Sequence, residues 1–340
     1  MTEAYITILT NDRYLPGALV LANAIRDLGT TKRLAILVSN ISKASEELVK
    51  NVYDEVINVS PIVSTSLQQL SDLGRPDLTS TYTKILIWKQ IQFSRVVYLD
   101  SDILPVVPID GLFEIELSHE LPIAASPDAG WPDIFNSGVF VTEPSEAIFE
   151  ELFATIQNEE SPSFDGGDQG LLNEYFLGKW GRLPFTFNVT PTAGYQYVPA
   201  FLKFFKDIKI IHFIGLNKPW LSRDASLFAS GSFGKGYEIM KSLHEKWWKV
   251  FNRHYFGKIA GEIFAISNIS PIEDHSGKGE GCLLDIPKMT NQWDDLKVSD
   301  ITNDTQSISE PAVVITPLFP WEFRERVEPE RVFSESTDSF

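Results

Sequence analysis

The chain has 340 residues, 43% hydrophobic and 22% charged, which excludes a disordered, collagenous or coiled-coil protein. Its 29 basic and 46 acidic residues leave a net charge of −17, so neither nucleic acid nor an anionic membrane is expected as a partner. A single cysteine, Cys282, cannot form an internal disulfide, and the N-terminus carries no basic, apolar leader, so a soluble cytoplasmic protein is expected.

In chain order, β-branched apolar runs alternate with amphipathic stretches as far as about residue 260. The pattern predicts strand Ala4–Leu9, helix Leu15–Leu28, strand Leu34–Val38, helix Ser42–Lys50 and strand Val56–Val59. Helix Thr81–Gln92 follows, then strands Arg95–Leu99, Pro122–Ala125 and Val139–Val141. Helices Glu143–Gln157 and Gln169–Phe176 and strand Lys209–Phe213 complete the series. Such alternation predicts an α/β fold, an open and largely parallel sheet with helices on both faces.

From about residue 270 the periodicity fades. This stretch holds 15 acidic and 6 basic residues and reads as a mobile acidic linker. It ends in an apolar cluster, Val313–Ile315 with Leu318-Phe319-Pro320-Trp321-Glu322-Phe323, which suggests a docking peptide. The sequons at Asn188, Asn268 and Asn303 are read as chance, because no secretory leader precedes them.

The chemistry concentrates at strand ends. Arg95-Val96-Val97-Tyr98-Leu99 runs into Asp100-Ser101-Asp102, and ligands of open α/β sheets sit at the carboxyl ends of strands. Residues i and i+2 of a strand point the same way, so both carboxylates can converge on one hard cation such as Mg, Ca or Mn. Two solvated acids capping a strand end fit the dipeptide spacing equally well. A cation there would neutralise a diphosphate that the acidic surface repels, which requires a further ligand and a base. Ile210-Ile211-His212-Phe213-Ile214-Gly215, followed by Lys218, offers a histidine, a glycine permitting close phosphate approach and a point charge.

These residues taken together resemble the glycogenins, retaining transferases of glycosyltransferase family 8, over about residues 3–224. The likeness rests on Leu9-Thr10-Asn11-Asp12 with Tyr14, Arg75-Pro76-Asp77-Leu78, Thr83-Lys84 and Asp100-Ser101-Asp102. It continues through Gly130-Trp131-Pro132-Asp133, Phe135-Asn136-Ser137-Gly138 and Phe164-Asp165-Gly166-Gly167-Asp168-Gln169. Phe187-Asn188, Gly194-Tyr195-Gln196-Tyr197, His212-Phe213-Ile214-Gly215 and Lys218-Pro219-Trp220 complete it.

The resemblance implies a GT-A fold, a Rossmann-like mixed sheet in a catalytic domain over 1–265, usually within a homodimer. An acidic linker over 266–310 and a short docking motif over 311–340 would follow. It implies Mn²⁺-dependent, or Mg²⁺-dependent, transfer of glucose from UDP-glucose to the protein's own tyrosine, extended into an α-1,4-glucan that primes glycogen. By the family pattern Asp100, Asp102 and His212 would hold the metal. Leu9, Thr10, Asn11 and Tyr14 would enclose the uridine, with Arg75 and Ser101 beside the nucleotide. Lys84, Gly215 and Lys218 would face the diphosphate. Asn136, Ser137, Asp165, Asp168 and Gln169 would line the glucose, with Lys84, Asp165 and Asp168 catalytic and Tyr195 the acceptor.

Elementary chemistry gives each position a reason. Lys84 in the first turn of helix Thr81–Gln92 would meet phosphate beside free amides. Asp168 is a candidate N-cap for the following helix, and a Gly-loosened turn of acids equally suits a sugar's hydroxyls. A phenol with pKa near 10, Tyr195 or its neighbour Tyr197, must lose its proton during attack. Trp131, Trp220, Trp247 and Trp248 are read as packing before sugar stacking. Phe319-Pro320-Trp321-Glu322-Phe323 with Pro329-Glu330-Arg331-Val332-Phe333 is similar to the C-terminal motif of fungal glycogenins, which implies glycogen synthase as a partner. A family 8 transferase with an external acceptor, and an inactive scaffold for the synthase, are the rival readings.

Overall fold

The computed structural model describes residues 2–272, apart from 65, 73, 75, 131, 159–161, 191–192 and 226–234 and the side chains of 67, 76, 77, 158, 195, 235 and 236. They fall in one unit, Met1–Glu280, and the second unit, Gly281–Phe340, lies outside the described residues. So do the docking motif over 311–340 and the linker beyond 272.

Seven strands form one sheet: β1 (Thr2–Leu9), β2 (Arg33–Val38), β3 (Glu55–Asn58), β4 (Phe93–Leu99), β6 (Ile123–Pro127), β7 (Phe135–Thr142) and β8 (Trp180–Arg182). Their order is β3-β2-β1-β4-β7-β6-β8, and a separate ribbon pairs β5 (Ile103–Pro105) with β9 (Ile210–His212). The half from β3 to β4 is parallel, whereas β7 runs antiparallel to both β4 and β6. The sheet is therefore mixed, since a strand's apolar run does not record the direction in which it enters.

Alternation along β2 shows why the runs are apolar throughout. Leu34, Ile36 and Val38 face one core, and Ala35 and Leu37 face the other. The first core is covered by α1 (Leu15–Asp27) and by helices Lys235–His254 and Gly257–Ile266, two helices that periodicity did not single out. The second lies under segment Pro76–Lys89 and the helices Glu146–Asn158 and Asp168–Tyr175. A sheet buried on both faces needs hydrophobic residues on both.

Pro76–Lys89 is a run of 3-10 turns where an α-helix over Thr81–Gln92 was expected. Lys84 accordingly sits in mid-segment, so its action on an anion rests on its own charge and not on a helix N-terminus. Trp220 and Trp247 are almost fully buried and pack against each other at a 40° tilt within the first core, so packing is their main work. Trp248 packs on Phe251 and donates to the Ser222 carbonyl, while Trp131 lies outside the described residues. Residues at the start of the stretch read as linker pack beside Leu221–Arg223, where Ile272 N–H donates to Leu221 O at 3.0 Å. No helix among the described residues is long and apolar enough to cross a membrane.

Candidate active site

Three chain segments meet at the carboxyl end of β4. Asp100-Ser101-Asp102 forms the turn that joins β4 to β5, and Ile103 N–H donates to Asp100 O at 3.2 Å. The two carboxylates thus converge through a turn and not through strand alternation. Antiparallel β7 brings Asn136-Ser137-Gly138 alongside, with Asp100 N–H donating to Gly138 O at 2.9 Å. Pairing of Ile103 with His212 in the β5–β9 ribbon delivers the histidine.

His212 Nε2 lies 3.3 Å from Asp102 Oδ1 and 3.8 Å from Asp100 Oδ2. One ligand atom from each of the three residues falls within 4.8 Å of the others. Two carboxylate oxygens suit Mn²⁺ or Mg²⁺, and the imidazole nitrogen tilts the set toward the transition metal. The donor set therefore fits the divalent cation expected from the sequence.

Two lysines balance the acids. Lys218 Nζ binds Asp102 Oδ2 and donates to Phe213 O at 2.9 Å. Burial alone would raise the Asp102 carboxyl; Lys218 and His212 outweigh it and hold that carboxyl well below the usual range. Lys84 Nζ lies 3.1 Å from Asp100 Oδ1 and 2.5 Å from Asp168 Oδ2. Burial would lower its pKa, yet the Asp100 and Asp168 charges carry it above the ordinary lysine value. Both ammonium groups are almost wholly buried, at 6% side-chain exposure each.

Asp168 opens helix Asp168–Tyr175 at its first position, behind Gly167 as N-cap. Its carboxylate accepts from Ser137 Oγ at 2.7 Å, so it does not cap the helix. Asp165 takes that work: it accepts from Gly167 N–H at 2.8 Å, from Gly170 N–H at 3.1 Å and from Ser163 Oγ at 2.8 Å. Burial pushes the Asp165 carboxyl up despite those bonds. Gln169 accepts from Ser137 N–H at 3.2 Å through Oε1.

A cleft of about 760 Å³ opens over these groups and is also lined by Thr10, Asn11, Tyr14, Gly215 and Trp220. Asn11 Oδ1 accepts from Arg13 N–H at 3.1 Å, which caps the turn Asp12–Tyr14. Tyr14 meets Trp220 edge to face at 5.6 Å, with Lys218 Nζ 5.5 Å from its ring. Gly215 has φ +91°, a backbone shape that side chains resist. A second groove of about 1060 Å³, beside Phe149 and Phe153, contains Lys89 as the one titratable side chain among the described residues that line it.

Residues 5–224 match the family described as Glycosyl transferase family 8. This chain belongs to that family. The family 8 chain is 44% identical over 257 residues to a glycogenin of Neurospora crassa, spanning 75% of itself but 36% of that relative. It is 35% identical over 335 residues to a glycogenin of Komagataella phaffii, covering 93% of this chain and 80% of the relative. Mouse glycogenin-1 is 42% identical over 225 residues, 64% of this chain and 65% of that one. Its fold is GT-A-like: the galactosyltransferase LgtC, solved with donor and acceptor sugar analogs, superposes with TM-score 0.50 at 20% identity. That match covers 72% of this chain and 95% of the solved one.

Of the residues expected to bind nucleotide-sugar, the cleft gathers Thr10, Asn11, Tyr14, Lys84, Asp100, Ser101, Asp102, Asn136, Ser137, Asp165, Asp168, Gln169, His212, Gly215 and Lys218. Leu9 does not join them; its side chain is buried in the core, and Ile8 lines the cleft instead. Arg75 and the Tyr195 side chain lie outside the described residues, while Tyr197 is 68% exposed. Asn188, read from sequence as a chance sequon, is 7% exposed and bonded at both its amide nitrogen and its amide oxygen, so its burial leaves no room for a glycan. Sequence reading did not single out Tyr98, whose hydroxyl donates to Asp100 Oδ1, or Asp128, which accepts from Asn136 and Gln169. For Tyr98 a signal existed: it stands two residues before Asp100 on the same strand.

Proposed function

We propose that this family 8 protein is a self-glucosylating glucosyltransferase of glycogenin type, acting in the cytoplasm. It would transfer glucose from UDP-glucose with retention of configuration, first to its own Tyr195 and then to the growing α-1,4-glucan. The observation that carries this reading is the convergence of Asp100, Asp102 and His212 beside Lys218 and Lys84 in one cleft, in a chain 44% identical to a glycogenin.

Asp100, Asp102 and His212 would hold Mn²⁺, with Mg²⁺ as the alternative. When bound, such a cation neutralises a diphosphate and stabilises it as a leaving group. Lys218 and the open backbone at Gly215 would receive the diphosphate oxygens, while Thr10, Asn11 and Tyr14 face the base and Arg75 and Ser101 the nucleotide. Lys84 would stabilise charge that develops as the bond from glucose C1 to the phosphate oxygen breaks. Asp168, held by Lys84 and Ser137, would orient the glucose with Asn136 and Gln169, and Asp165 would shape their loop. The bond from the phenol oxygen to C1 then forms, and the phenol proton passes to the departing diphosphate oxygen. Residues 311–340 would recruit glycogen synthase, and the chain would act as a homodimer.

Intact mass of the purified chain, before and after UDP-glucose and Mn²⁺, tests the reading beside Tyr195→Phe. A ladder of hexose increments that is lost in the variant is the expected result. UDP release only with added maltosides would move the activity to an external acceptor. Neither ladder nor release would leave a scaffold.

A further inference from the structure

Behind His212 runs a line of four side chains whose hydrogen-bond directions are fixed at its far end. Asp128 Oδ2 accepts from Asn136 Nδ2 at 3.2 Å, and Asn136 Oδ1 accepts from Asn188 Nδ2 at 2.7 Å. Asn188 Oδ1 lies 2.9 Å from His212 Nδ1. An amide can be turned end for end, so its direction must be deduced from neighbours that cannot. A carboxylate only accepts and a backbone N–H only donates. Asp128 therefore requires the amino end of Asn136, and Gly138 N–H, 3.0 Å from Asn136 Oδ1, requires its oxygen. With that oxygen facing Asn188, Asn188 must donate its amino group and turn its own oxygen to the imidazole. Nδ1 then carries a hydrogen, and Nε2, the nitrogen turned to Asp100 and Asp102, is the one left to serve as a ligand.

We infer that Asn188 is a positioning residue for His212, holding the ring in the Nδ1–H tautomer that offers Nε2 to a cation, with its own direction set through Asn136 by Asp128 and Gly138. The inference rests on the proposed metal-dependent reading of this cleft and adds a residue to it. Asn188, Asn136 and His212 are all at least nine-tenths buried, so water does not compete for these bonds. Groups that orient a metal-binding histidine typically govern affinity by about 10- to 100-fold. The line also branches, because Gln169 Nε2 donates to the same Asp128 oxygen at 2.7 Å. The histidine and the amide at the start of helix Asp168–Tyr175 thus share one anchor.

Two measurements on the full chain, both without donor sugar, test this. Nitrogen-15 NMR of the imidazoles in metal-free wild type should show a hydrogen on His212 Nδ1; a ring protonated at Nε2 alone would overturn the inference. Titration of MnCl₂, followed by the electron paramagnetic resonance of free Mn²⁺, should show Asn188→Ala binding about 10- to 100-fold more weakly than wild type. Asn188→Asp, which keeps an acceptor at Nδ1 but sets a carboxylate oxygen against Asn136 Oδ1, should lose less affinity than Asn188→Ala. Equal affinity in wild type and Asn188→Ala overturns the inference, as does equal loss in both variants, which would mark a purely structural role. A chain that shows the expected tautomer and affinities but adds no hexose would sink the transferase reading and leave this one standing.

Discussion

Tyr98 donates its phenol hydrogen to Asp100 Oδ1 from two residues earlier in the same strand. Lys84 reaches that oxygen as well, at 3.1 Å, so Oδ1 is occupied from behind and Oδ2 is the oxygen that faces His212. The ring of Tyr98 is buried against Phe140 at 4.8 Å and stands 4.8 Å below the Lys84 ammonium. One side chain thus fixes both a carboxylate and the cation beside it.

Removing that hydroxyl should leave the fold intact and loosen the carboxylate. Tyr98→Phe is expected to cost about 1.5–3 kcal/mol, the range for hydrogen bonds to charged groups. Urea denaturation in EDTA checks the stability, and Mn²⁺ titration should show weaker binding.

Lys84→Gln should be more damaging. It leaves Asp100 and Asp168 facing each other with no charge between them, and breaking a buried pair this way costs about 3–5 kcal/mol. Denaturation with and without Mn²⁺ reads the effect. The cation should restore part of the loss, because at the candidate ligands Asp100, Asp102 and His212 it would offset the same excess of negative charge.

Gly17 approaches the Asp100–Asp102 turn so closely that a Cβ there would lie 2.4 Å from Ser101 O and 2.7 Å from the Trp220 ring. Gly17→Ala must therefore shift backbone, and overpacking of this kind costs about 1–3 kcal/mol. The turn carries two of the three candidate ligands, so Mn²⁺ affinity should fall by at least about tenfold, about 1.4 kcal/mol. Unchanged affinity would mean that the turn yields without moving its carboxylates.

Acid stability follows from Asp102. Its pKa is lower in the folded chain than the value of about 3.9 it takes when unfolded. The stability it supplies is whole above about pH 4 and is lost as pH falls toward the folded value. In metal-free buffer, wild type should weaken between about pH 4 and pH 2, and Asp102→Asn should show a flatter acid limb. Denaturant midpoints across that range decide it.

Deleting residues 310–340 should leave hexose addition unchanged and abolish co-purification of glycogen synthase. Retained co-purification would assign recruitment to another part of the chain.

The α/β class and the positions of most strands were legible because a doubly covered sheet writes long apolar runs, as in Leu34–Val38. The antiparallel entry of β7 was not, since its direction depends on the connection and not on Val139–Val141. An apolar spacing that reads as a helix over Thr81–Gln92 is compatible with 3-10 turns when neighbours bind the segment, as where Ile62 N–H donates to Thr83 Oγ1 at 3.0 Å. Asp168 looked like a helix cap because the sequence cannot show that Lys84 and Ser137 claim its carboxylate while Asp165 takes the amides. Asp128 carried no signal of position, and Asn188, although part of the family pattern, carried none of its role, because the partners of both are distant in the chain.

The β5–β9 ribbon has a kinetic meaning too. It sets Lys218 against Asp102 across 116 residues, whereas β1 and β2 join at Ala4 and Arg33. A loop roughly four times longer costs about 1.2 kcal/mol more entropy to close. Contacts of such long range form slowly, so β1, β2 and β3 are expected to pair before the cleft forms. A partly folded chain would then hold the first strands of the scaffold and no place for a sugar nucleotide, and catalytic competence would mark the end of folding.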